Sequence, residues 1–251
     1  MTIPTLNRLR ELKLGGMAHA LQQQQEQPGL YETLPFTERL SLLVEQEHLY
    51  REQKKQSRLL QQAHLKLSAT LQDIDYQHPR NIERSQNAQL AQSEWINRGQ
   101  NLLITGPCGS GKTYLACAFG HNACLHGYSV HYYRLSRLLQ ALTQAKADGS
   151  YPKLLRQLAR IRLLALDDWG LEPLTQAHRN DLLEILDDRH GQSSTVVISQ
   201  LPTEQWYGSI GDNTLADAIL DRLIHNAHRL QLKGESMRKR QDKLTQDEQS
   251  G

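Results

Sequence analysis

Apolar residues open the chain at steps of three and four: Leu6, Leu9, Leu12, Leu14, Met17, Ala18 and Leu21. That spacing predicts an amphipathic helix over 5–25, broken at Gly15-Gly16. Pro28-Gly29 is a stop signal. A second, longer helix is expected from Thr37 to about residue 66. Its second half carries Arg51, Lys54, Lys55, Arg58 and Lys66 against a single acid, Glu52. The first four of these cations recur at helical steps and share a face. Residues 1–70 therefore read as a small all-helical domain. Residues 71–99 read as a linker with partial helix, since Pro79 disfavours helix before it. From residue 100 the texture changes. Apolar runs at 101–105, 128–133, 161–166, 194–199 and 228–232 predict strands, and the stretches at 111–126, 135–159, 175–190 and 214–226 predict helices. This alternation predicts an α/β domain over 100–240. The polar residues 241–251 are expected to form a disordered tail.

Composition narrows the picture without deciding it. A chain of 251 residues makes one large domain or two small ones. A net charge of +2 is too weak to indicate a nucleic-acid partner, so any basic surface must be local. Cys108, Cys117 and Cys124 are odd in number, and no pair has metal-ligand spacing. They predict a reduced, cytoplasmic chain without disulfides, with Cys117 and Cys124 as small buried apolar residues. No apolar leader opens the chain, and no run approaches 18 apolar residues, so no membrane span is expected. The histidines show no metal-ligand spacing. Trp95, Trp169 and Trp206 are expected in the core or at its rim.

The chemistry enters at residues 106–113, Gly-Pro-Cys-Gly-Ser-Gly-Lys-Thr, between a predicted strand and a predicted helix. That context makes it a phosphate-binding loop. Gly106, Pro107, Cys108, Gly109, Ser110 and Gly111 would wrap backbone amides around an anion. The N-terminus of the following helix adds partial positive charge. Lys112 would reach the β- and γ-phosphates of ATP, and the Thr113 hydroxyl would sit on Mg²⁺. The second element is the apolar run 163–166 followed by Asp167 and Asp168. Such a run buries a strand and delivers a carboxylate beside the phosphate loop. Asp167 is expected to hold Mg²⁺, through water. Asp168 is expected to orient the attacking water and take its proton.

Four stretches carry a resemblance to a known family. They are residues 12–18 with 34–40, the phosphate loop, Leu-Asp-Asp-Trp-Gly at 166–170, and Lys-Gly-Glu-Ser-Met-Arg at 233–238. Over residues 5–240 the chain resembles an IstB-type transposition helper ATPase, in the AAA+ clade shared with DnaC-type helicase loaders. The resemblance implies a P-loop AAA+ fold, with a parallel five-stranded sheet of order 5-1-4-3-2 behind the small all-α domain. It implies three further site residues. Ser199 would be a polar sensor at the end of the fourth strand, although Gln200 beside it departs from the family pattern. Arg222 would be an arginine finger acting in trans; the competing reading is a surface ion pair with Asp221 or Asp217. Arg238 would be a second sensor, or part of a basic tail.

The expected function is an ATP-dependent, double-stranded-DNA-binding regulator. It would form a homo-oligomer on DNA with ATP at subunit interfaces, and the resemblance, not the residues themselves, implies that it would recruit or activate the transposase of its element. The N-terminal helices and the basic face of Arg51, Lys54, Lys55 and Arg58 would meet the DNA backbone or join protomers. A replicative helicase loader and a nucleotide-dependent structural DNA-binding module remain as alternatives. The former is distinguished by its N-terminal domain, the latter by having no need for Asp168.

Overall fold

The computed structural model describes residues 3–234, which form two compact units divided between Arg58 and Leu59. The first unit is helical: α1 (Ile3–Glu11), α2 (Gly15–Glu26), α3 (Pro28–Tyr31) and α4 (Phe36–Ala63), the last of which crosses the boundary. The break between α1 and α2 falls at 12–14, ahead of the glycine pair, with Lys13 at φ +59°. The glycines instead open α2, because α2 crosses α4 there: a Cβ on Gly16 would lie 2.5 Å from the Gln46 carbonyl oxygen. Glu47 of α4 completes the crossing. Its Oε2 accepts from the amides of Gly16 (2.8 Å) and Met17 (3.1 Å), two of the donors that a helix start leaves unsatisfied.

The second unit is a three-layer α/β/α arrangement. Strands β1 (Asn101–Thr105), β2 (Val130–Arg134), β3 (Leu163–Trp169), β4 (Ser194–Ser199) and β5 (Ala227–Gln231) form one parallel sheet in the order β2-β3-β4-β1-β5. This is the expected order, read from the opposite edge. Strands buried on both faces are apolar nearly throughout. Leu102, Ile104, Ala165, Val196 and Ile198 face one core with α7 (Lys112–Leu125). Leu103, Leu164, Leu166 and Val197 face the other.

That other core is covered by α8 (Leu135–Asp148), α9 (Tyr151–Arg160), α10 (Gln176–Arg189), α11 (Trp206–Ile210) and α12 (Asn213–Ile224). The expected single helix over 135–159 is two, because Gly149 at φ +80° ends α8 and Pro152 suits the first turn of α9. Residues 71–99, expected as a linker, pack into the first core through Ile74, Leu90, Trp95 and Ile96, the last three from α5 (Arg84–Ala91) and α6 (Glu94–Asn97). The linker reading failed because these apolar residues are too sparse to show a period, and only the sheet supplies the surface they cover. Trp95, Trp169 and Trp206 are all buried, as are Cys117 and Cys124; burial pushes the Cys124 thiol up to about 12. Among the described residues no helix is long and apolar enough to cross a membrane.

Candidate functional site

The carboxyl ends of β1 and β3 bring the phosphate loop and the paired carboxylates together, where parallel sheets gather ligands. The loop turns through left-handed backbone at Gly106 (φ +147°), Gly109 (+79°) and Gly111 (+95°). At Gly106 a side chain is also excluded by space: a Cβ would stand 2.6 Å from the Leu232 carbonyl oxygen. Ser110 is fully buried, with a hydroxyl that finds no partner. Lys112 opens α7, and its Nζ donates to the Pro107 carbonyl at 2.7 Å. Burial pushes the Lys112 pKa down, against the opposing charges of Cys108, Asp167 and Asp168. A bound phosphate would return the solvation this ammonium has lost.

Thr113 Oγ1 donates to Asp167 Oδ2 at 2.9 Å, so the two predicted metal-site residues are in contact across 54 positions of chain. Asp167 is buried, and a buried carboxylate must be paired. Its Oδ1 accepts from the Asp168 amide at 2.8 Å. Its Oδ2 also accepts from the Tyr132 hydroxyl of β2, and Lys66 Nζ lies 3.8 Å away. Burial and the neighbouring Asp167 carboxylate raise the Tyr132 phenol well above its ordinary range, so it stays a donor. The Thr113 hydroxyl and the Asp167 carboxylate are hard oxygen ligands of the kind Mg²⁺ takes, and they stand beside a loop whose amides and Lys112 suit phosphate.

Asp168 lies at a break in the β3–β4 register between Leu166 and Trp169, with φ +64°. The irregular backbone turns its carboxylate to Arg134 at the end of β2, with Nε 3.1 Å from Oδ2. Beyond this pair opens a cavity of about 630 Å³, bordered by α8 and residues 171–174. A smaller cavity of about 340 Å³ adjoins the phosphate loop itself, walled by residues 73–75, Arg80 and the first turn of α7. Its contact with Lys112 and Thr113, rather than its size, makes the smaller cavity the one that belongs to the predicted chemistry. Arg80 is buried against the loop, donating to the carbonyls of Asp75 (2.7 Å) and Ser110 (3.4 Å).

Other predicted residues lie elsewhere. Ser199 is buried. Its hydroxyl donates to the Trp169 carbonyl (2.7 Å) and accepts from the Leu201 amide (3.0 Å), which makes it a brace between β3 and β4, while Gln200 is exposed. Arg222 sits at the opposite end of the sheet from the phosphate loop: its carbonyl accepts from the side chain of Asn101, the first residue of β1. Its guanidinium pairs with Asp187 at 2.6 Å, and not with Asp217 or Asp221. Arg238 lies outside the described residues.

In the first unit, Arg51, Lys54, Lys55 and Arg58 are all exposed on α4. Glu47 holds Arg51 at 2.6 Å, so a second acid tempers this stretch. Lys66 does not join them, because α4 ends at Ala63. Tyr132, Arg134, Lys66 and Arg80 have no place among the residues that the motifs single out. Arg134 alone had a signal, a charge closing an apolar strand that points at the ligand edge.

A parallel sheet in this order, with an anion loop after its first strand and paired carboxylates near the end of its third, defines the P-loop AAA+ fold. Solved structures agree at the level of fold. DnaI matches with a TM-score of 0.57 at 21% identity, covering 70% of this chain and 93% of that one. The DnaC helicase loader matches with a TM-score of 0.51 at 20% identity, covering 62% and 93%. Residues 7–245 match the family described as IstB-like ATP binding protein, and the chain belongs to it. It is 47% identical over 238 residues to a Sinorhizobium fredii protein named as an insertion sequence ATP-binding protein, covering 95% of this chain and 97% of the relative. A Pseudomonas fluorescens protein named as the ATP-binding protein of insertion sequence IS1162 is 47% identical over 215 residues, covering 85% and 92%.

Proposed function

We propose that this chain is a DNA-dependent ATPase that assembles on double-stranded DNA and recruits or activates the transposase of its insertion sequence. The observation that carries the ATPase reading is the 2.9 Å contact between Thr113 of the phosphate loop and Asp167 of β3, with Asp168 beside them. The family supports ATP as the nucleotide, and the insertion-sequence names of the relatives support the transposase partner.

In this reading the loop amides of 106–111 and Lys112 bind the β- and γ-phosphates. The 340 Å³ cavity receives the nucleoside. Thr113 and, through water, Asp167 would hold Mg²⁺, which would neutralise charge on the phosphate oxygens. Tyr132 fixes the direction of the Asp167 carboxylate. Asp168 orients the attacking water and accepts its proton, while Arg134 holds the Asp168 carboxylate until the water arrives. Arg222 acts in a neighbour's site, because it lies at the wrong end of its own sheet to reach its own nucleotide. Its pairing with Asp187 then holds the finger between uses. The exposed cations of α4 meet phosphates and contribute affinity without sequence information.

Gel shifts on duplex DNA with and without a non-hydrolysable ATP analogue test this. Wild-type protein should form nucleotide-dependent complexes. Lys112→Ala, which removes the phosphate-loop cation, should bind nucleotide weakly and fail to form them. Complexes with Lys112→Ala that still depend on nucleotide would remove the phosphate loop from the mechanism.

A further inference from the structure

Asp167 Oδ2, the oxygen that would face a hydrated Mg²⁺, has three partners from three parts of the chain: Thr113, Tyr132 and Lys66. The first two are neutral hydroxyls. Among the described residues, Lys66 is the cation within 4.0 Å of this buried carboxylate. It does not arrive there by chance of a flexible chain. Leu65 packs where a side chain on Gly120 of α7 would be, 2.9 Å from that Cβ position. The amides of Lys66 and Leu67 face the buried Cys117 thiol, also on α7. The main chain at 65–67 is thus seated along α7, and the Lys66 side chain rises beside its first turn.

The two partners of this ion pair differ sharply in exposure: the Asp167 side chain is 3% exposed, that of Lys66 36%. The carboxylate is fixed, and the ammonium has a route to solvent. At 3.8 Å the ammonium is close enough for charge compensation but too far for a short hydrogen bond. A lysine ammonium is a compact point charge with no fork to lock it to a carboxylate, so it leaves more readily than a guanidinium would.

We propose that Lys66 is an exchangeable counter-cation of the metal carboxylate. Its ammonium and hydrated Mg²⁺ compete for Asp167 Oδ2, so Lys66 sets how much Mg²⁺ the site requires before it accepts Mg·ATP. The inference rests on the ATP reading above and deepens it. A buried carboxylate needs a cation nearby. Two cations on one oxygen repel, so the arrival of the metal releases Lys66 toward solvent. Lys66 therefore compensates Asp167 without metal and raises the metal concentration needed.

The test uses the full chain and a fluorescent non-hydrolysable ATP analogue, with free Mg²⁺ buffered from the chelator-bound to the millimolar range. In Lys66→Met, which keeps the aliphatic stem, the half-saturating Mg²⁺ should fall by about 3- to 10-fold, the range expected for a partly exposed ion pair on a buried carboxylate. Lys66→Arg should stay near wild type or need more Mg²⁺. In chelator without nucleotide, Lys66→Met should melt below wild type, and Mg²⁺ alone should recover part of the difference. An unchanged Mg²⁺ requirement in Lys66→Met would overturn the proposal. So would a raised one, which would put the ammonium on the nucleotide. A parallel shift in the Met and Arg variants would also overturn it, because a packing role ignores charge. Wild-type protein that binds no analogue at any Mg²⁺ would remove the ATP reading itself, a result seen before any variant is compared.

Discussion

Asp168 carries its carboxylate on left-handed backbone, φ +64°, a conformation that costs most residues about 1–2 kcal/mol and Asp rather less. Its neighbour Asp167 keeps regular strand geometry and pairs in register with Arg134 of β2. The left-handed backbone at Asp168 sends one carboxylate toward Thr113 and the other toward Arg134, which separates two acids adjacent in sequence into two environments. Asp168→Asn should preserve shape and nucleotide affinity but remove the proton acceptor. Turnover should drop by roughly 10²-fold or more, the usual worth of a general base. Single-turnover hydrolysis alongside equilibrium nucleotide binding checks this; normal hydrolysis in Asp168→Asn would transfer the role elsewhere. Lys112, Thr113, Asp167 and Asp168 were legible because the backbone itself ties each to its motif. Tyr132 and Lys66 were not, since nothing in residues 60–70 or 128–133 says which carboxylate they will meet.

Helix α2 begins without a side-chain cap of its own. Glu47, far along the chain on α4, supplies one, and the negative charge also suits the helix start. Burial alone would raise the Glu47 pKa. The Arg51 guanidinium and the amides of Met17 and Gly16 outweigh it and hold the carboxyl below its ordinary value. A depressed carboxyl stabilises the fold above its unfolded pKa of about 4.3, and that stability is lost as pH falls through the lower folded value. The difference in thermal stability between wild type and Glu47→Gln should therefore be full near pH 6 and shrink as the pH drops below about 4. A difference independent of pH would assign Glu47 a packing role only.

The same crossing explains Gly16. An alanine there would press its Cβ to 2.5 Å from a backbone oxygen that cannot rotate away. Gly16→Ala should cost about 1–3 kcal/mol in denaturant melts of the full chain. Further along α4, the exposed Lys54, Lys55 and Arg58 make a separate prediction. Replacing all three with glutamine should weaken duplex binding and flatten its salt dependence, by about 0.9 in log–log slope for each phosphate left without its cation. An unaltered slope would mean that this face does not touch DNA.

At the scale of the whole molecule, Arg222 is the sharpest test of assembly. Asn101 ties its helix to the start of β1, while the phosphate loop leaves the end of that strand. Within one chain the guanidinium cannot reach the nucleotide. Arg222→Ala should bind ATP normally and hydrolyse it poorly; removing such a finger costs roughly 10³- to 10⁵-fold in well-studied phosphoryl transfers. Mixing Arg222→Ala with Lys112→Ala should restore part of the activity, since one keeps the pocket and the other the finger. No rescue at any mixing ratio, with both variants folded and co-assembling, would leave Arg222 as the structural partner of Asp187.

Local chemistry in the sequence was sufficient for the five strands, most of the helices and the phosphate loop with its facing carboxylates. Each is specified within a short window: an apolar run, a helical period, a glycine spacing, an acid pair at a strand end. How those windows meet was decided only in the tertiary structure. The apolar residues of 71–99 became core because β1 and α7 present the surface they cover. Ser199 became a brace because the irregular end of β3 leaves the Trp169 carbonyl beside it. Lys66, expected near the end of the long helix, reached Asp167 because α4 ends three residues earlier and the main chain then follows α7. Spacing along a chain encodes periodicity and reach, but which charge compensates a buried carboxylate depends on distances that exist only after the sheet has formed.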